Sequence, residues 1–258
     1  MSAQPDNSAA FMLGIKTTET VVFTDLDDTL IFTAAKIPAG ANHRASAMDR
    51  RGNTLSYLCT PHRELISIFK NHGARIIPVT GRNLDALNRI DFVHLFNSYK
   101  IVSHGAVVIA QEGGICPEWA QALKSQFEDW PEYLQETNSE VKRTIQKFQL
   151  EARCRVIIDQ GVSAYVSIKG EAQALATIKA EHRCRPGMLR HENGRNHALL
   201  PPYASKALAV SHVKRQLGLD INDLTIGIGD SLTDIPFLRE CHFSMTPRGS
   251  QIHEAHEW

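Results

Sequence analysis

The sequence predicts an α/β protein: a three-layer domain built on a parallel sheet, with a smaller α+β domain inserted into it. Short apolar runs alternate with helical patterns at both ends of the chain, which is typical of parallel strands joined by helices. Between Gly113-Gly114 and Pro201-Pro202 that order changes to αββαββ, which indicates an insertion. The expected organisation is a flexible N-terminal tail at 1–19, a core at 20–114 and 198–258, and the inserted domain at 115–197.

The first core segment begins with an apolar run over 21–24 that ends in a group of aspartates, which indicates a buried strand of a parallel sheet. Weak periodicity and glycines over 31–60 indicate a loop and a hairpin. From Pro61 apolar residues recur at helical spacing until Gly73 ends the helix. The other elements expected in this segment are a strand over 75–79, a helix over 83–90 and short strands near 101–102 and 107–109.

The inserted domain begins with a region over 117–148 whose spaced apolar positions predict helix, in which Trp119, Trp130 and Tyr133 are interpreted as packing residues of that domain. Its later elements are strands over 154–158 and 164–168, a helix over 171–180, and a hairpin of 188–192 with 197–200 about Asn193-Gly194. The core then resumes with a helix over 205–217, a strand over 224–228 and a last short strand over 242–245.

Composition and charge narrow the possible partners. The chain has 258 residues, 43% of them apolar, with 28 Lys plus Arg balanced by 28 Asp plus Glu. This zero balance argues against a nucleic-acid or membrane-surface partner, since both classes of protein usually carry net positive charge. No apolar run approaches the roughly 18 residues of a membrane span, and the N-terminus lacks the pattern of a signal peptide.

The five cysteines are dispersed and form no CxxC pair. They predict free thiols in a reducing compartment, without a disulfide framework or a zinc site, and hence a cytoplasmic protein. The sequence gives no indication of the oligomeric state.

Two groups of carboxylates follow predicted strands. Asp25, Asp27 and Asp28 come directly after the first strand, and Asp230 and Asp234 follow the strand over 224–228. Ligands of parallel sheets bind outside the carboxyl ends of the strands, and like charges gathered there are costly unless a cation relieves them. The pattern therefore indicates a divalent-metal site with oxygen ligands suited to Mg²⁺. The alternative is a solvated turn, in which aspartate is common.

Cationic and hydroxyl residues accompany the carboxylates. Lys206 follows Ser205, a good N-cap, and so lies in the first turn of a helix, where the helix dipole disfavours a cation unless an anion compensates it. Thr80-Gly81-Arg82 follows the strand over 75–79 with a hydroxyl, a flexible residue and a cation, which suits an oxyanion. A solvated lysine and an ordinary strand-to-helix turn would explain the same residues.

Together these segments resemble the four motifs of the haloacid dehalogenase (HAD) superfamily of aspartate-nucleophile phosphotransferases. The first motif, DxDxT, is similar to the segment from Asp25 to Thr29, and the fourth, GDxxxD, to Gly229-Asp230 with Asp234. The second motif corresponds to Thr80-Gly81-Arg82 and the third to Lys206. The resemblance runs from about residue 20 to 247 and is greatest to the sucrose-phosphate phosphatase and Cof-like sugar phosphatases. It implies a Rossmann-like core with a C2-type cap at 115–197.

The resemblance also implies an activity and a set of roles. The activity is Mg²⁺-dependent hydrolysis of a small phosphorylated metabolite, such as a sugar phosphate, through an aspartyl phosphate. Asp25 would be the nucleophile and Asp27 the general acid and base, with Mg²⁺ held by Asp25, the backbone carbonyl of Asp27, and Asp230. The remaining residues would bind phosphate (Thr80, Gly81, Arg82, Lys206) or support the site (Thr29, Ser231, Asp234).

Two other functions share these motifs: a phosphomutase, and a metabolite sensor that kept the fold without catalysis. The sequence departs from its relatives at His104 and Thr233, where they often have asparagine. His191 and Asn196, in the last two strands of the cap, are candidates for sugar contacts. The histidines of 253–256 lack zinc-protease spacing, and we expect a frayed C-terminal segment there.

Overall fold

The computed structural model describes residues 18–255. The strands are β1 (Thr20–Thr24), β2 (Ile31–Phe32), β3 (His43–Met48), β4 (Thr54–Cys59), β5 (Arg75–Pro78), β6 (Lys100–Val102), β7 (Val107–Ile109), β8 (Ala152–Asp159), β9 (Val162–Gly170), β10 (Leu189–Asn193), β11 (Asn196–Leu200), β12 (Leu224–Ile228) and β13 (Phe243–Met245). The helices are α1 (Thr60–Asn71), α2 (Leu84–Leu87), α3 (Pro117–Gln126), α4 (Trp130–Lys147), α5 (Ala172–Glu181), α6 (Lys206–Gln216), α7 (Ile235–Leu238) and α8 (Gln251–Ala255).

The central sheet has four parallel strands in the order β13-β12-β1-β5. β1 pairs with β12 on one side and β5 on the other, and Val21, Val22, Phe23 and Thr24 are all buried. Because both faces of a parallel sheet are covered, its strands carry continuous apolar runs, as the sequence of β1 does.

Helices cover both faces of this sheet. On one face Ile76 of β5 packs in a cluster with Ile66 of α1, and on the other Phe23 of β1 packs with Val213 of α6 and Phe237 of α7. The predicted three-layer core is therefore confirmed.

In residues 18–255 three antiparallel sheets lie outside the central one, and the smallest pairs β6 with β7. The segment predicted as a loop and hairpin forms a sheet in the order β2-β4-β3. The inserted segment forms a sheet in the order β10-β11-β9-β8, which we call the cap sheet. Leu134 and Val141 of α4 and Leu175 of α5 pack against Val166 and Ile168 of β9, so these two helices cover one face of the cap sheet.

The inserted segment differs from the expectation at both of its ends. Trp119 belongs to α3 and packs on the core, so its interpretation as a packing residue of the inserted domain is wrong. Its indole Nε1 donates to the carbonyl of Ala106 across 3.0 Å, and its ring centroid lies 5.1 Å from that of His212. At the other end β11 continues to Leu200, and the expected 197/198 boundary falls within this cap strand.

The helix predicted over 83–90 has only the four residues of α2. Beyond Leu87 the chain instead pairs with β3: Ile90 forms an antiparallel bridge with Ala47, and Asp91 N–H donates to the Ser46 carbonyl across 2.9 Å. Pairing with a strand that is distant in sequence thus overrides the local helical pattern.

The expectation of a frayed segment at 253–256 is wrong as far as residue 255. These residues belong to α8, in which Ile252 is buried against the core and its N–H donates to the Asp230 carbonyl across 3.0 Å. His256, and the N-terminal tail up to residue 17, lie outside the described residues. Among those described, no helix combines the length and apolar character that crossing a bilayer requires.

Candidate active site

Three strand ends form the site. Asp25 follows β1, Thr80 follows the strand segment that begins with β5, and Asp230 follows β12, and these three strands are neighbours in the central sheet. Ligands of open parallel sheets bind at this edge, as the sequence led us to expect.

The Asp25 carboxylate is buried, with 5% of the residue exposed, and both of its oxygens have partners. Lys206 Nζ donates to Oδ1 across 2.7 Å, and Thr29 Oγ1 lies 3.2 Å from Oδ2. The Thr29 hydroxyl also lies 3.1 Å from Asp230 Oδ1, so it stands between the carboxylates of the first and fourth motifs. These contacts fix the orientation of Asp25.

The loop after β1 turns tightly beneath Asp25. The Leu26 carbonyl accepts hydrogen bonds from the N–H groups of Thr29, Leu30 and Ile31. Asp28 has a φ of 64°, a left-handed conformation that aspartate tolerates better than most residues. The turn brings Thr29 back toward Asp25, four residues earlier.

Lys206 links two carboxylates. It begins α6, where Ser205 Oγ accepts a hydrogen bond from Leu208 N–H as the N-cap, and its Nζ lies 2.7 Å from both Asp25 Oδ1 and Asp234 Oδ1. Burial acts to lower the pKa of Lys206, but the two carboxylates outweigh it and the pKa is raised. Asp25 and Asp234 are therefore the anions that compensate the positive charge of Lys206 in the first turn of α6.

Close backbone approach places α6. Gly105 has a φ of 92°, and a Cβ there would lie 2.4 Å from the Ser205 carbonyl oxygen. Only glycine fits both the conformation and this contact. Gly105 therefore lets the first turn of α6, with Lys206, reach the strand ends.

Both carboxylate oxygens of Asp234 accept hydrogen bonds. Its Oδ1 accepts from Lys206, and its Oδ2 accepts from the backbone N–H of Asp230, the N–H of Ser231 and the Ser231 hydroxyl, at 2.9–3.2 Å. A Cβ at Gly229 would lie 2.7 Å from Asp234 Cβ, so the glycine of the fourth motif makes room for this arrangement. Asp234 positions Lys206 and the loop after β12.

Carboxylate oxygens of Asp25, Asp230 and Asp234 lie within 4.8 Å of one another. Burial, followed by the charge of Asp234, raises the pKa of Asp230 to about 6, and burial with both neighbouring aspartates raises the pKa of Asp25 although Lys206 opposes it. The ammonium group of Lys206 therefore does not balance the negative charge of the three carboxylates. Oxygen ligands with excess negative charge fit Mg²⁺.

The side chain of Asp27 lies apart from this cluster. Arg82 Nε donates to Asp27 Oδ2 across 2.8 Å, and Arg82 Nη2 donates to Oδ1 across 2.6 Å. Asp27 could therefore ligate a metal only through its backbone carbonyl, and no backbone hydrogen bond between described residues ends on that oxygen. This is the atom that the resemblance implies.

The second motif is packed under a histidine. Thr80 is fully buried, and its hydroxyl accepts from Arg82 N–H across 3.1 Å. A Cβ at Gly81 would lie 2.5 Å from His104 Cε1, so this glycine allows the imidazole to lie against the loop. Burial, with the charges of Lys206 and His191, lowers the pKa of His104 to about 3, which makes it a neutral imidazole at pH 7.

His104 also contacts the cap sheet. Its ring centroid lies 5.1 Å from that of Tyr165 on β9 and 5.2 Å from that of His191 on β10. A second connection lies nearby: Asp159 Oδ2, at the end of β8, accepts from Ser103 Oγ across 2.8 Å and from Leu84 N–H across 3.0 Å. The cap sheet is therefore attached to the core beside the second motif.

Sequence reasoning identified His104 and His191 but missed Ser103, Asp159 and Tyr165. Asp159 ends a strand before a Gln-Gly turn, where an acidic residue is ordinary, so no local signal marks it. Asn196, a candidate for sugar contacts, is exposed at the start of β11 and lies opposite Lys169, four residues along β9 from Tyr165.

The sequence matches no protein-family model and no curated protein. Several solved structures share the fold. A HAD subclass IIB sugar phosphatase is 12% identical with a TM-score of 0.57, over 92% of this chain and 90% of that one. A haloacid dehalogenase-like hydrolase from Bacteroides thetaiotaomicron is 14% identical with a TM-score of 0.54, over 92% and 98% of the two chains.

A sucrose-phosphatase from Synechocystis, solved with sucrose and phosphate, is 16% identical with a TM-score of 0.54, over 94% of this chain and 89% of that one. At these identities the comparison shows the fold alone, which this chain shares with these solved structures. The predicted fold class is confirmed.

Proposed function

We propose that this chain is a Mg²⁺-dependent phosphatase that hydrolyses a small phosphorylated metabolite, with a sugar phosphate as the expected class. The observation that carries the proposal is the cluster at the carboxyl ends of β1 and β12. It combines a buried carboxylate, Asp25, with an ammonium group 2.7 Å away and two further carboxylates whose oxygens lie within 4.8 Å. The phosphatase fold of the neighbours supports the same activity.

Asp25 acts as the nucleophile in the proposed reaction. One of its oxygens forms a bond to phosphorus while the bond from phosphorus to the leaving oxygen breaks, which gives an aspartyl phosphate. Splitting the hydrolysis into two transfers lowers the barrier of each. Lys206 and Thr29 hold Asp25 in position, and Lys206 carries the positive charge that phosphate oxygens need as they approach a carboxylate.

Asp27 serves as general acid and then as general base. It gives a proton to the leaving alkoxide in the first step and takes one in the second from the water that attacks the acyl phosphate. In the resting site Arg82 occupies both of its oxygens. An incoming phosphate offers Arg82 a second anionic partner, which frees one oxygen of Asp27 to take up a proton from solvent and to turn toward the leaving group.

Asp25, Asp230 and the carbonyl of Asp27 would hold Mg²⁺. When bound, the ion would offset the negative charge that the aspartates and the phosphate bring together. Asp234 already has partners on both oxygens, so we assign it the positioning of Lys206 instead.

The cytoplasmic location stays a prediction of this proposal. All five cysteines are free thiols in the structure, which is compatible with a reducing compartment.

A release assay tests the function. The purified protein is incubated with Mg²⁺ and p-nitrophenyl phosphate, then with a panel of sugar phosphates, and inorganic phosphate is measured beside an Asp25→Asn control. Phosphate release by the wild type and none by the variant supports the proposal. Isomerised sugar phosphate would indicate a phosphomutase, and ligand binding without turnover would indicate a metabolite sensor.

A further inference from the structure

The two faces of the cap sheet differ in what covers them. Helices α4 and α5 pack on the face that carries Cys154, Val166 and Ile168. Successive residues of a strand point to opposite faces, so Arg155 of β8 and Ser167 of β9 lie on the other one. The same alternation adds Arg153 and Lys169, and these residues pair across the strands as Arg153 with Lys169 and Arg155 with Ser167. We call this the open face.

The open face is turned toward the catalytic loops. Tyr165 and His191 belong to it, and both rings lie about 5 Å from that of His104, which packs against Gly81 of the second motif. The charges of Lys206 and Asp234 also act on the pKa of His191, although burial is the largest influence and lowers it. A phosphate ester bound at Asp25 would therefore present its leaving group to the open face.

Three cations on this face have no counterion within the part of the chain that the structure describes. Among residues 18–255, no hydrogen bond or ion pair joins Arg153, Arg155 or Lys169 to a carboxylate, although the chain has as many acidic as basic residues. Burial and then the two arginines lower the pKa of Lys169. Like charges directly opposite each other on paired strands destabilise a sheet, so the pair of Arg153 and Lys169 costs stability without a ligand.

A cavity adjoins these cations. It has a volume of about 480 Å³, and Arg153, Lys169, Arg195 and Asn196 line it together with Glu151. This volume lies within the range of small-molecule sites. Arg195 is already paired with Glu171, which leaves Arg153 and Lys169 as the cations available to an anion there.

Distances along the strands relate the cations to the phosphate site. Arg155 is a diagonal neighbour of Tyr165, about 7–8 Å away across the β8–β9 pair. Arg153 and Lys169 lie two residues further, about 7 Å along the same strands. A leaving group the size of a hexose, extending from the catalytic loops past Tyr165, would bring its far end to these side chains.

We propose that the substrate carries a second anionic group, a carboxylate or a second phosphate, on its leaving group, and that Arg155, Arg153 and Lys169 of the open face bind it. The neutral imidazole of His104, with Tyr165 and His191, would contact the uncharged middle of the molecule. This inference rests on the proposed phosphatase function and names its substrate class: phosphorylated sugar acids or sugar bisphosphates rather than esters of neutral sugars.

Two matched pairs of esters test the substrate class. Glucose 6-phosphate and 6-phosphogluconate differ by a carboxylate, and fructose 6-phosphate and fructose 1,6-bisphosphate differ by a phosphate. We expect kcat/KM to be about 10-fold or more higher for the anionic member of at least one pair, the scale of a hydrogen bond to a charged group. Preference in the first pair alone assigns a carboxylate, and preference in the second alone assigns a phosphate.

Substitutions locate the effect. Arg155→Ala and Lys169→Ala should each reduce the preference about 10-fold, mainly through KM for the anionic ester. The matched control is Arg143→Ala, which removes the same charge from an exposed position of α4, behind the covered face, and should retain the preference.

Calorimetry separates this inference from the proposed function. The four esters are titrated into Asp25→Asn protein with Mg²⁺, where binding does not depend on turnover, and tighter binding of an anionic ester is expected. Equal binding and equal kcat/KM within both pairs would overturn the second anionic site, even if p-nitrophenyl phosphate is hydrolysed. Failure to release phosphate from any ester, with the binding preference present, would overturn the phosphatase function alone.

Discussion

Arg82 donates hydrogen bonds from two nitrogens to both carboxylate oxygens of Asp27, across 2.6 and 2.8 Å. The two residues are 55 positions apart, one after β1 and the other after β5, and the pairing of these neighbouring strands brings them together. Burial alone would lower the pKa of Arg82, but the Asp27 carboxylate outweighs it and the pKa is raised. The orientation of the proposed acid and base thus depends on one guanidinium.

We therefore predict that Arg82→Lys impairs turnover of alkyl phosphates by about 10- to 100-fold. A lysine keeps the charge but cannot make two parallel hydrogen bonds, so Asp27 would lose its fixed orientation. The loss should fall mainly on kcat and should be smaller for p-nitrophenyl phosphate, whose leaving group needs little help from an acid. The measurement is steady-state kinetics on both esters.

A double-mutant comparison checks that Arg82 acts through Asp27. If it does, the losses of Arg82→Lys and Asp27→Asn should be far from additive in the combined variant. Additive losses would show that Arg82 acts on the phosphate alone.

Removal of metal should abolish activity. The buried aspartate cluster has a single ammonium group among three carboxylates, and an anionic ester adds further negative charge. We expect no phosphate release in excess chelator, recovery with Mg²⁺, and inhibition by Ca²⁺, which prefers a larger and more irregular ligand shell. Full activity in excess chelator would refute the metal assignment.

The proposed metal site should affect stability through Asp230. Its pKa is raised from 3.8 to about 6 in the folded metal-free protein, mainly by burial. The protein should lose stability as the pH rises from about 4 to 6, because the folded state then gives up a proton less readily than the unfolded state. Asp230→Asn lacks the buried carboxylate charge, so at pH 7.5 it should unfold about 2–4 °C higher than the metal-free wild type. This shift corresponds to about 1 kcal/mol of unfolding free energy after allowance for solvent screening.

Thermal unfolding at two pH values provides the check. The advantage of Asp230→Asn should disappear near pH 4, and addition of Mg²⁺ should raise the midpoint of the wild type but not of the variant. A variant less stable than the metal-free wild type at pH 7.5 would contradict the assigned cost of this carboxylate.

The meeting of Asp25 with Lys206 could be predicted from the sequence, because both residues occupy ordered motifs beside strands whose apolar runs are unambiguous. Asp25, Lys206 and Asp234 are brought into one cluster as that order suggests. The pairing of Arg82 with Asp27 could not be predicted, since both residues had other roles open to them and only the side-chain packing decides. Local signals likewise could not show that Ile90 pairs with β3 or that Trp119 packs beside His212.

Asp159 connects the cap sheet to the core, and its loss should loosen that connection. Asp159→Ala leaves Ser103 Oγ and the Leu84 N–H without their acceptor, at a cost of about 1–3 kcal/mol. We expect faster amide hydrogen exchange at Leu84 and in the segment after Ser103. Glu136→Ala, an exposed carboxylate on α4, is the matched control and should leave this exchange unchanged. Unchanged protection in Asp159→Ala would show that the cap sheet is held by other contacts.

The two aspartates of the first motif should respond differently to the leaving group. Asp25→Asn should abolish turnover of every ester, because an amide cannot form the acyl phosphate. Asp27→Asn should slow the first step by about 10²- to 10⁴-fold for an alkyl sugar phosphate, the usual scale of acid–base catalysis, and far less for p-nitrophenyl phosphate.

Hydrolysis of the acyl phosphate still requires a base, so Asp27→Asn should accumulate phosphoenzyme. With p-nitrophenyl phosphate we expect a burst of about one nitrophenol per protein followed by slow turnover, because the first step is fast and the second is impaired. Rapid-mix kinetics measures the burst, and mass measurement of the quenched protein locates the phosphoryl group on Asp25. The expected difference follows from the surroundings of the two aspartates: Asp25 is buried against Lys206 and Thr29, whereas Asp27 is 45% exposed on its side chain and, among residues 18–255, is held by Arg82. A stoichiometric burst from Asp25→Asn, or a phosphoryl group on another residue, would reverse the two assignments.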